Sequence, residues 1–153
     1  AAGAFLVSPM HHIQQAGYAI GTHGASVILQ GGDPTDGGYA GSLVCAREVA
    51  AVSGDCLCLK RELFQAVGGF NEYFRQVFYD VDLCLRLSAP PGQRIIWTPR
   101  AQMIQHAPPA CTVSDYQIDQ TLLLDLWQAK LECGDPYFNP HFDAAKADYS
   151  WRR

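Results

Sequence analysis

The chain has 153 residues, 48% of them apolar, which suffices for one globular domain with a buried core. Its net charge is −4, and no cluster of Lys and Arg stands out apart from the terminal Arg152-Arg153. This charge pattern excludes nucleic-acid binding as the expected function, because such proteins carry a basic surface. No apolar run approaches the ~18 residues of a membrane span. No basic-then-apolar secretory leader precedes the first strand, and the absence of an initial Met is typical of an excised piece.

The six cysteines lack the Cys-x-x-Cys spacing of redox and zinc motifs. Four of them have mostly apolar neighbours in the sequence: Cys45, Cys56, Cys58 and Cys84. We expect these four thiols to be reduced and mostly buried, and the protein to be cytoplasmic.

The predicted elements alternate between short apolar strands and helices. Strands are predicted over residues 4–7, 14–20, 47–52, 56–59, 94–97 and 103–106. Helices are predicted from Arg61 to Val67, from Asp80 to Leu87, and over about 18 residues after Ser114. The glycine-rich stretch 30–42 is predicted to be a loop. Residues 135–153 are predicted to be an irregular tail whose aromatic side chains attach it to the body or meet a partner.

The long helix after Ser114 is predicted to bury one apolar face. Cys133-Gly134 is expected to end this helix, as Gly68-Gly69 ends the one before it. The residues of the predicted apolar face are Ile118, Leu122, Leu123, Leu126 and Trp127.

The segment Phe78–Leu87 places two acids at the start of a short apolar helix. Asp80 occupies the position expected for the N-cap, and Asp82 stands four residues before Arg86, an ion-pair spacing. The two carboxylates lie roughly 200° apart around a helix, so we expect them to do different jobs. A purely structural interpretation is a helix cap plus a solvated surface ion pair.

Several stretches in order resemble the acceptor-side half of bacterial family-2 glycosyltransferases, in the group that includes rhamnosyltransferases. These are Val52-Ser53-Gly54-Asp55-Cys56-Leu57, Arg61-Glu62-Leu63-Phe64, Val67-Gly68-Gly69-Phe70-Asn71-Glu72, Asp80-Val81-Asp82-Leu83-Cys84-Leu85-Arg86-Leu87 and the later His106. Ile13-Gln14-Gln15-Ala16-Gly17 and Asp135-Pro136-Tyr137-Phe138-Asn139-Pro140 extend the resemblance over almost the whole chain.

The resemblance implies an α/β fold with a mixed sheet, a partial GT-A-like fold that lacks the N-terminal nucleotide-binding half. It assigns residues 1–134 to the acceptor-side half of a catalytic domain and 135–153 to the tail. It implies an inverting transfer from a nucleotide sugar to a glycan or another hydroxyl acceptor. Asp80 would be the catalytic base, Asp82, Gly54 and Asp55 would bind the acceptor, and His106 would ligate a divalent metal, Mn or Mg.

The sequence departs from this family at Tyr79, usually Glu or Asn, and at Asp55, usually Ala. The earlier Asp-x-Asp motif is absent, so we expect little donor binding and no activity from this chain alone. The main alternative is a non-catalytic fragment or paralogue that binds or self-associates, which a dimer in light scattering would favour. A weaker alternative is a metal hydrolase that uses Asp55, Asp80, Asp82 and His106.

Overall fold

The computed structural model describes residues 1–106 and 111–152, and in this part the chain forms seven strands and three α-helices. The strands are β1 (Ala2–Val7), β2 (Ile13–Gln15), β3 (Tyr18–Gly21), β4 (Gly24–Val27), β5 (Arg47–Glu48), β6 (Leu57–Cys58) and β7 (Ile96–Ile104). The helices are α1 (Arg61–Ala66), α2 (Tyr79–Ser88) and α3 (Val113–Glu132).

The main sheet is organised around β1, whose residues are almost all buried. Strand β7 runs parallel to β1, while β2 and β6 pair antiparallel with its two ends. Strand β5 adds an antiparallel edge to β7, and β3 and β4 form a separate hairpin. The protein is therefore mixed α/β with a curled mixed sheet, which confirms the predicted fold class at this level.

Strand β7 joins the two strands that were predicted over 94–97 and 103–106. Its ladder with β1 has two stretches, because Ala4 pairs with Thr98 but Phe5 pairs with Gln102. The intervening residues, including Pro99, bulge out of register. Proline cannot donate a ladder hydrogen bond and is tolerated at such a bulge, so one strand continues through it.

The other strand predictions were only partly right. The extended segment 14–20 is divided by Gly17, which has a φ of 93°. Strand β5 covers two residues of the predicted 47–52, although the rest of that segment is buried in the core. The predicted buried strand 56–59 reduces to β6, with Cys58 exposed.

Helix α1 ends as predicted. Gly68 and Gly69 have φ values of 81° and 74°, which residues with a side chain rarely adopt. Phe70 folds back onto the helix, its ring 5.3 Å from that of Phe64.

Helix α3 begins two residues earlier than predicted, with Thr112 as N-cap: its side-chain oxygen accepts a hydrogen bond from Asp115 N. The predicted apolar face was partly wrong, because Ile118 and Leu126 are exposed. The buried residues of this helix are Asp119, Leu123 and Leu131. The helix thus covers the body along a narrower stripe than its leucines suggested.

Residues after 134 pack against the body of the protein. The rings of Phe138 and Phe142 are buried, and Tyr149 stacks on Tyr39, with ring centroids 4.9 Å apart. Asp135 accepts a hydrogen bond from Ile20 N in β3. The predicted attachment of the tail by aromatics is therefore confirmed for these three rings, while Trp151 is exposed.

The prediction of four buried cysteines was wrong. Only Cys84 of the four is buried; Cys45 and Cys58 are exposed and Cys56 is half-buried. All six thiols are free. Among the described residues, no helix combines the length and apolar character needed to cross a bilayer.

Candidate functional site

Helix α2 carries both central acids, but it begins differently from the prediction. The N-cap is Phe78, which adopts a left-handed conformation (φ 62°, ψ −1°) and makes no side-chain cap hydrogen bond. Asp80 is the second helical residue rather than the cap. The structural reason is that Phe78 is buried and turns the chain into the helix.

The Asp80 carboxylate lies among three donors. Its Oδ2 accepts hydrogen bonds from Gly54 N at 3.0 Å and from the Tyr18 hydroxyl at 3.3 Å. Its Oδ1 accepts one from Val81 N at 2.8 Å. Only 4% of the residue is exposed, so these contacts replace most of the water that would solvate the charge.

Gly54 makes this close approach possible. A Cβ at this position would lie 2.8 Å from Tyr79 Cε2 and 3.3 Å from Asp80 Cβ. Any side chain would therefore push the backbone N–H away from the carboxylate. Gly54 contacts the acid through its main-chain N–H, and its predicted binding of the acceptor stays a prediction.

Burial sets the protonation behaviour of this group. Desolvation raises the pKa of Asp80, and the hydrogen bonds from Gly54, Val81 and Tyr18 oppose that rise. The pKa of Tyr18 is raised well above 10.0, first by burial and then by the neighbouring Asp80 charge. Tyr18 thus stays protonated and serves Asp80 as a hydrogen-bond donor.

Asp80 forms part of the wall of a pocket of about 480 Å3. The lining is rich in amide and aromatic side chains. It includes Gln14, Gln15, Tyr18, Gln30, Gln76, Phe78, Tyr79, Gln105 and Tyr116, together with Asp55 and Lys146.

Asp55 lies on the same pocket as Asp80. Its Oδ2 accepts hydrogen bonds from Ser53 Oγ at 3.2 Å and from Gln105 Nε2 at 2.8 Å. Unlike Asp80, it is exposed. The structure therefore brings Asp55, Gly54 and Asp80 together.

Asp82 lies on a different side of α2, as the helical geometry predicted. It lines a separate groove with Arg86 and Trp127. Its Oδ2 accepts from Arg86 Nη2 at 2.6 Å and its Oδ1 from Trp127 Nε1 at 2.9 Å. The interpretation as a solvated surface pair was wrong, since Asp82 is 2% exposed.

His106 is exposed and is not among the residues that line the Asp80 pocket, although the preceding Gln105 is. Among residues 1–106 and 111–152, no three His, Cys, Asp or Glu side chains are grouped so that they could hold a metal ion. The predicted metal role of His106 stays a prediction. Asp55, Asp80, Asp82 and His106 do not converge as a hydrolase centre would require.

Sequence reasoning missed two residues that line the pocket, Tyr18 and Gln105, and also the buried Asp119, which accepts hydrogen bonds from main-chain N–H groups of residues 75–77. Tyr18 is 62 positions from Asp80 and no local pattern joins them. Asp119 left a weak signal, because it precedes the buried Leu123 by one helical turn. An acid on the buried stripe of a helix needs partners, which can be sought as soon as the stripe is known.

No known family profile matches the chain, and no solved structure matches it. The chain does match several curated proteins. Over 96% of its length the chain is 32% identical to an uncharacterised protein of Sinorhizobium fredii, of which it covers 17%. It is 31% identical over its whole length to the O-antigen biosynthesis protein RfbC of Myxococcus xanthus, covering 12% of that protein.

A shorter match falls on an enzyme named N-acetylglucosaminyl-diphospho-decaprenol L-rhamnosyltransferase, from Mycobacterium tuberculosis. The identity is 38% over 60 residues, which is 39% of the chain and 19% of the enzyme. The chain thus spans less than a fifth of the length of each of these relatives. The similarity supports a glycosyltransferase-like family for this chain, at the level of a segment of its relatives.

Proposed function

We propose that this chain is the acceptor-binding part of an inverting glycosyltransferase that moves a sugar from a nucleotide sugar to a glycan hydroxyl. The observation that carries the proposal is the Asp80 carboxylate, buried at the wall of a pocket rich in amides and aromatic rings. Two relatives support the reaction class by their names, one a rhamnosyltransferase and the other an O-antigen biosynthesis protein.

In this mechanism Asp80 accepts the proton of the attacking acceptor hydroxyl. A base works best when its pKa approaches the working pH, and burial moves the pKa of Asp80 in that direction. Among the described residues, Oδ2 accepts two side-chain or inter-segment hydrogen bonds and Oδ1 accepts one, from Val81 N. The free lone pair on Oδ1 is therefore the site to which we assign the proton.

The pocket lining suits a polyhydroxylated acceptor. Side-chain amides donate to and accept from hydroxyl groups, and aromatic rings offer apolar faces to sugar carbons. Asp55 adds an acceptor for a second hydroxyl and is oriented by Gln105. We assign the binding of acceptor hydroxyls to Asp55, and to Asp82 the support of α2 rather than direct contact with the Asp80 pocket.

The GT-A-like architecture, family-2 membership and nucleotide-sugar donor belong to the same proposal. The donor site would be formed by parts of the enzyme that this chain does not supply. A divalent metal in the complete enzyme could take His106 as one ligand, and its other ligands would come from outside the described residues. No step assigned to Asp80 depends on that metal.

The test is sugar transfer by the polypeptide of the complete reading frame, with labelled nucleotide sugars and glycan acceptors. Asp80→Asn should lower kcat by about 10²–10⁴-fold, because the base is lost while the shape remains. Asp125→Asn, the same change on the exposed side of α3, is the matched control and should leave kcat unchanged. Near-normal transfer by Asp80→Asn would remove Asp80 from the mechanism.

A further inference from the structure

We propose that Asp119 of α3 is a positioning residue for Asp80, because it fixes the backbone from which helix α2 begins. The positioning role of Asp119 rests on the base role proposed for Asp80. The contact itself is independent of that role and can be tested without a transfer assay.

Asp119 binds three consecutive main-chain N–H groups in the segment that leads into α2. Its Oδ1 accepts from Arg75 N at 2.9 Å. Its Oδ2 accepts from Arg75 N at 3.1 Å, from Gln76 N at 2.8 Å and from Val77 N at 2.9 Å. The residue is 0% exposed, so no water competes for these bonds. Three N–H donors therefore stabilise the charge of this buried carboxylate.

The anchored segment is continuous with the Asp80 site. Val77 is followed by Phe78, whose left-handed conformation turns the chain, and Asp80 comes two residues later. The Phe78 carbonyl accepts a hydrogen bond from Asp82 N at 2.9 Å, which is the first main-chain hydrogen bond of helix α2. Gln76, Val77 and Phe78 line the same pocket as Asp80.

Helix α3 holds this turn with a second contact. The ring of Tyr116, one helical turn before Asp119, meets the ring of Phe78 edge-on, with centroids 5.4 Å apart. A non-glycine residue with positive φ persists only where its surroundings fix it. Asp119 fixes the residues before Phe78 and Tyr116 fixes its ring, so α3 determines where α2 starts and where the Asp80 carboxylate lies.

The experiment measures amide hydrogen exchange by NMR in Asp119→Asn, with Asp125→Asn as the matched control. The asparagine lacks the negative charge that strengthens all of these bonds, and where its oxygen takes the Oδ2 position its NH2 group faces Arg75 N in place of Oδ1. We expect the amides of Gly54 and Val81, which bond to Asp80, to exchange at least about tenfold faster in Asp119→Asn. Amides of the β1–β7 ladder should keep their rates, and Asp125→Asn should change neither set.

Uniformly faster exchange throughout Asp119→Asn would mean that the residue only stabilises the fold, and unchanged rates at Gly54 and Val81 would mean that it does not reach Asp80. Either result overturns the proposal. If Asp119→Asn does not fold, Asp119→Glu keeps the charge but displaces it by one methylene, and the same comparison of amides decides. Failure of Asp80→Asn to lower transfer would refute the base role without affecting this exchange result.

Discussion

At the scale of single residues, the site depends on an acid and a phenol that are far apart in sequence. The helical spacing correctly predicted that Asp80 and Asp82 face different surroundings, since this follows from local geometry. The Tyr18 contact was not predictable, because it requires β3 to be placed against the start of α2. The prediction that the cysteines are buried failed for a related reason. Apolar neighbours in sequence do not determine which side of a two-residue strand faces solvent, as the exposed Cys58 of β6 shows.

The Tyr18 hydroxyl should have a measurable effect on the pKa of Asp80. Its hydrogen bond lowers the pKa of Asp80 against the larger effect of burial. Tyr18→Phe removes the donor but keeps the ring, so the pKa of Asp80 should rise further. Carboxyl ¹³C chemical shifts followed through a pH titration measure this, with Asp80→Asn identifying the resonance.

Tyr73→Phe is the matched control, since Tyr73 is exposed and should leave that titration unchanged. An unchanged or lower pKa in Tyr18→Phe would contradict the assigned contact. The sign also has a consequence for stability: because folding raises this pKa, the contribution of Asp80 is fully present below its unfolded pKa. It is lost as pH rises through the folded value.

At the scale of elements, helix α2 is tied to its neighbours by Arg86. This guanidinium donates to Asp82 Oδ2 and, through Nη1, to the Val67 and Gly69 carbonyls at 2.6 and 2.8 Å. It thereby joins α2 to the glycine turn that ends α1. The ion-pair spacing predicted the first partner, but the two carbonyls depend on how α1 packs, which the sequence pattern does not specify.

Replacing Arg86 should be costly. Arg86→Met removes the cation from the buried Asp82 carboxylate, which keeps the hydrogen bond from Trp127 Nε1, and it removes the donor that two turn carbonyls share. We expect the free energy of unfolding to fall by up to about 3 kcal/mol, the lower end of the range for buried ion pairs, because Asp82 is buried but Arg86 is partly exposed. Urea denaturation measures it.

Arg61→Met, on the exposed side of α1, is the control and should change the free energy of unfolding by no more than about 0.5 kcal/mol. Equal, small losses in both variants would show that Arg86 is not a structural tie. The substitution leaves Asp80 and its three donors in place, so the loss would belong to the α1–α2 junction.

At the scale of the whole molecule, the charges around the Asp80 pocket favour a neutral ligand over an anionic one. The Asp80 pocket is lined by two acids, Asp55 and Asp80, and its one Lys or Arg is Lys146, among the described residues. A nucleotide diphosphate is anionic and needs cations or main-chain N–H groups around it. A neutral glycan needs hydrogen-bonding amides and apolar faces, which this pocket supplies. The combination of a mixed sheet with helices was predictable from the alternation of apolar runs. The composition of the pocket lining was not, because Gln14, Gln105 and Lys146 are far apart in sequence and come together only in the fold.

This chain should therefore discriminate between the two substrates when tested alone. Calorimetric titration with a UDP- or dTDP-sugar should give no micromolar affinity, because like charges oppose the diphosphate at the pocket. Neutral methyl glycosides at millimolar concentration should instead perturb the NMR signals of Tyr18, Tyr79 and Gln105. Tyr79→Leu should reduce the perturbations of Tyr18 and Gln105, while Tyr73→Leu, outside the pocket, should not. Micromolar binding of a nucleotide sugar by the chain alone would place the donor site here and would contradict its assignment to the acceptor side.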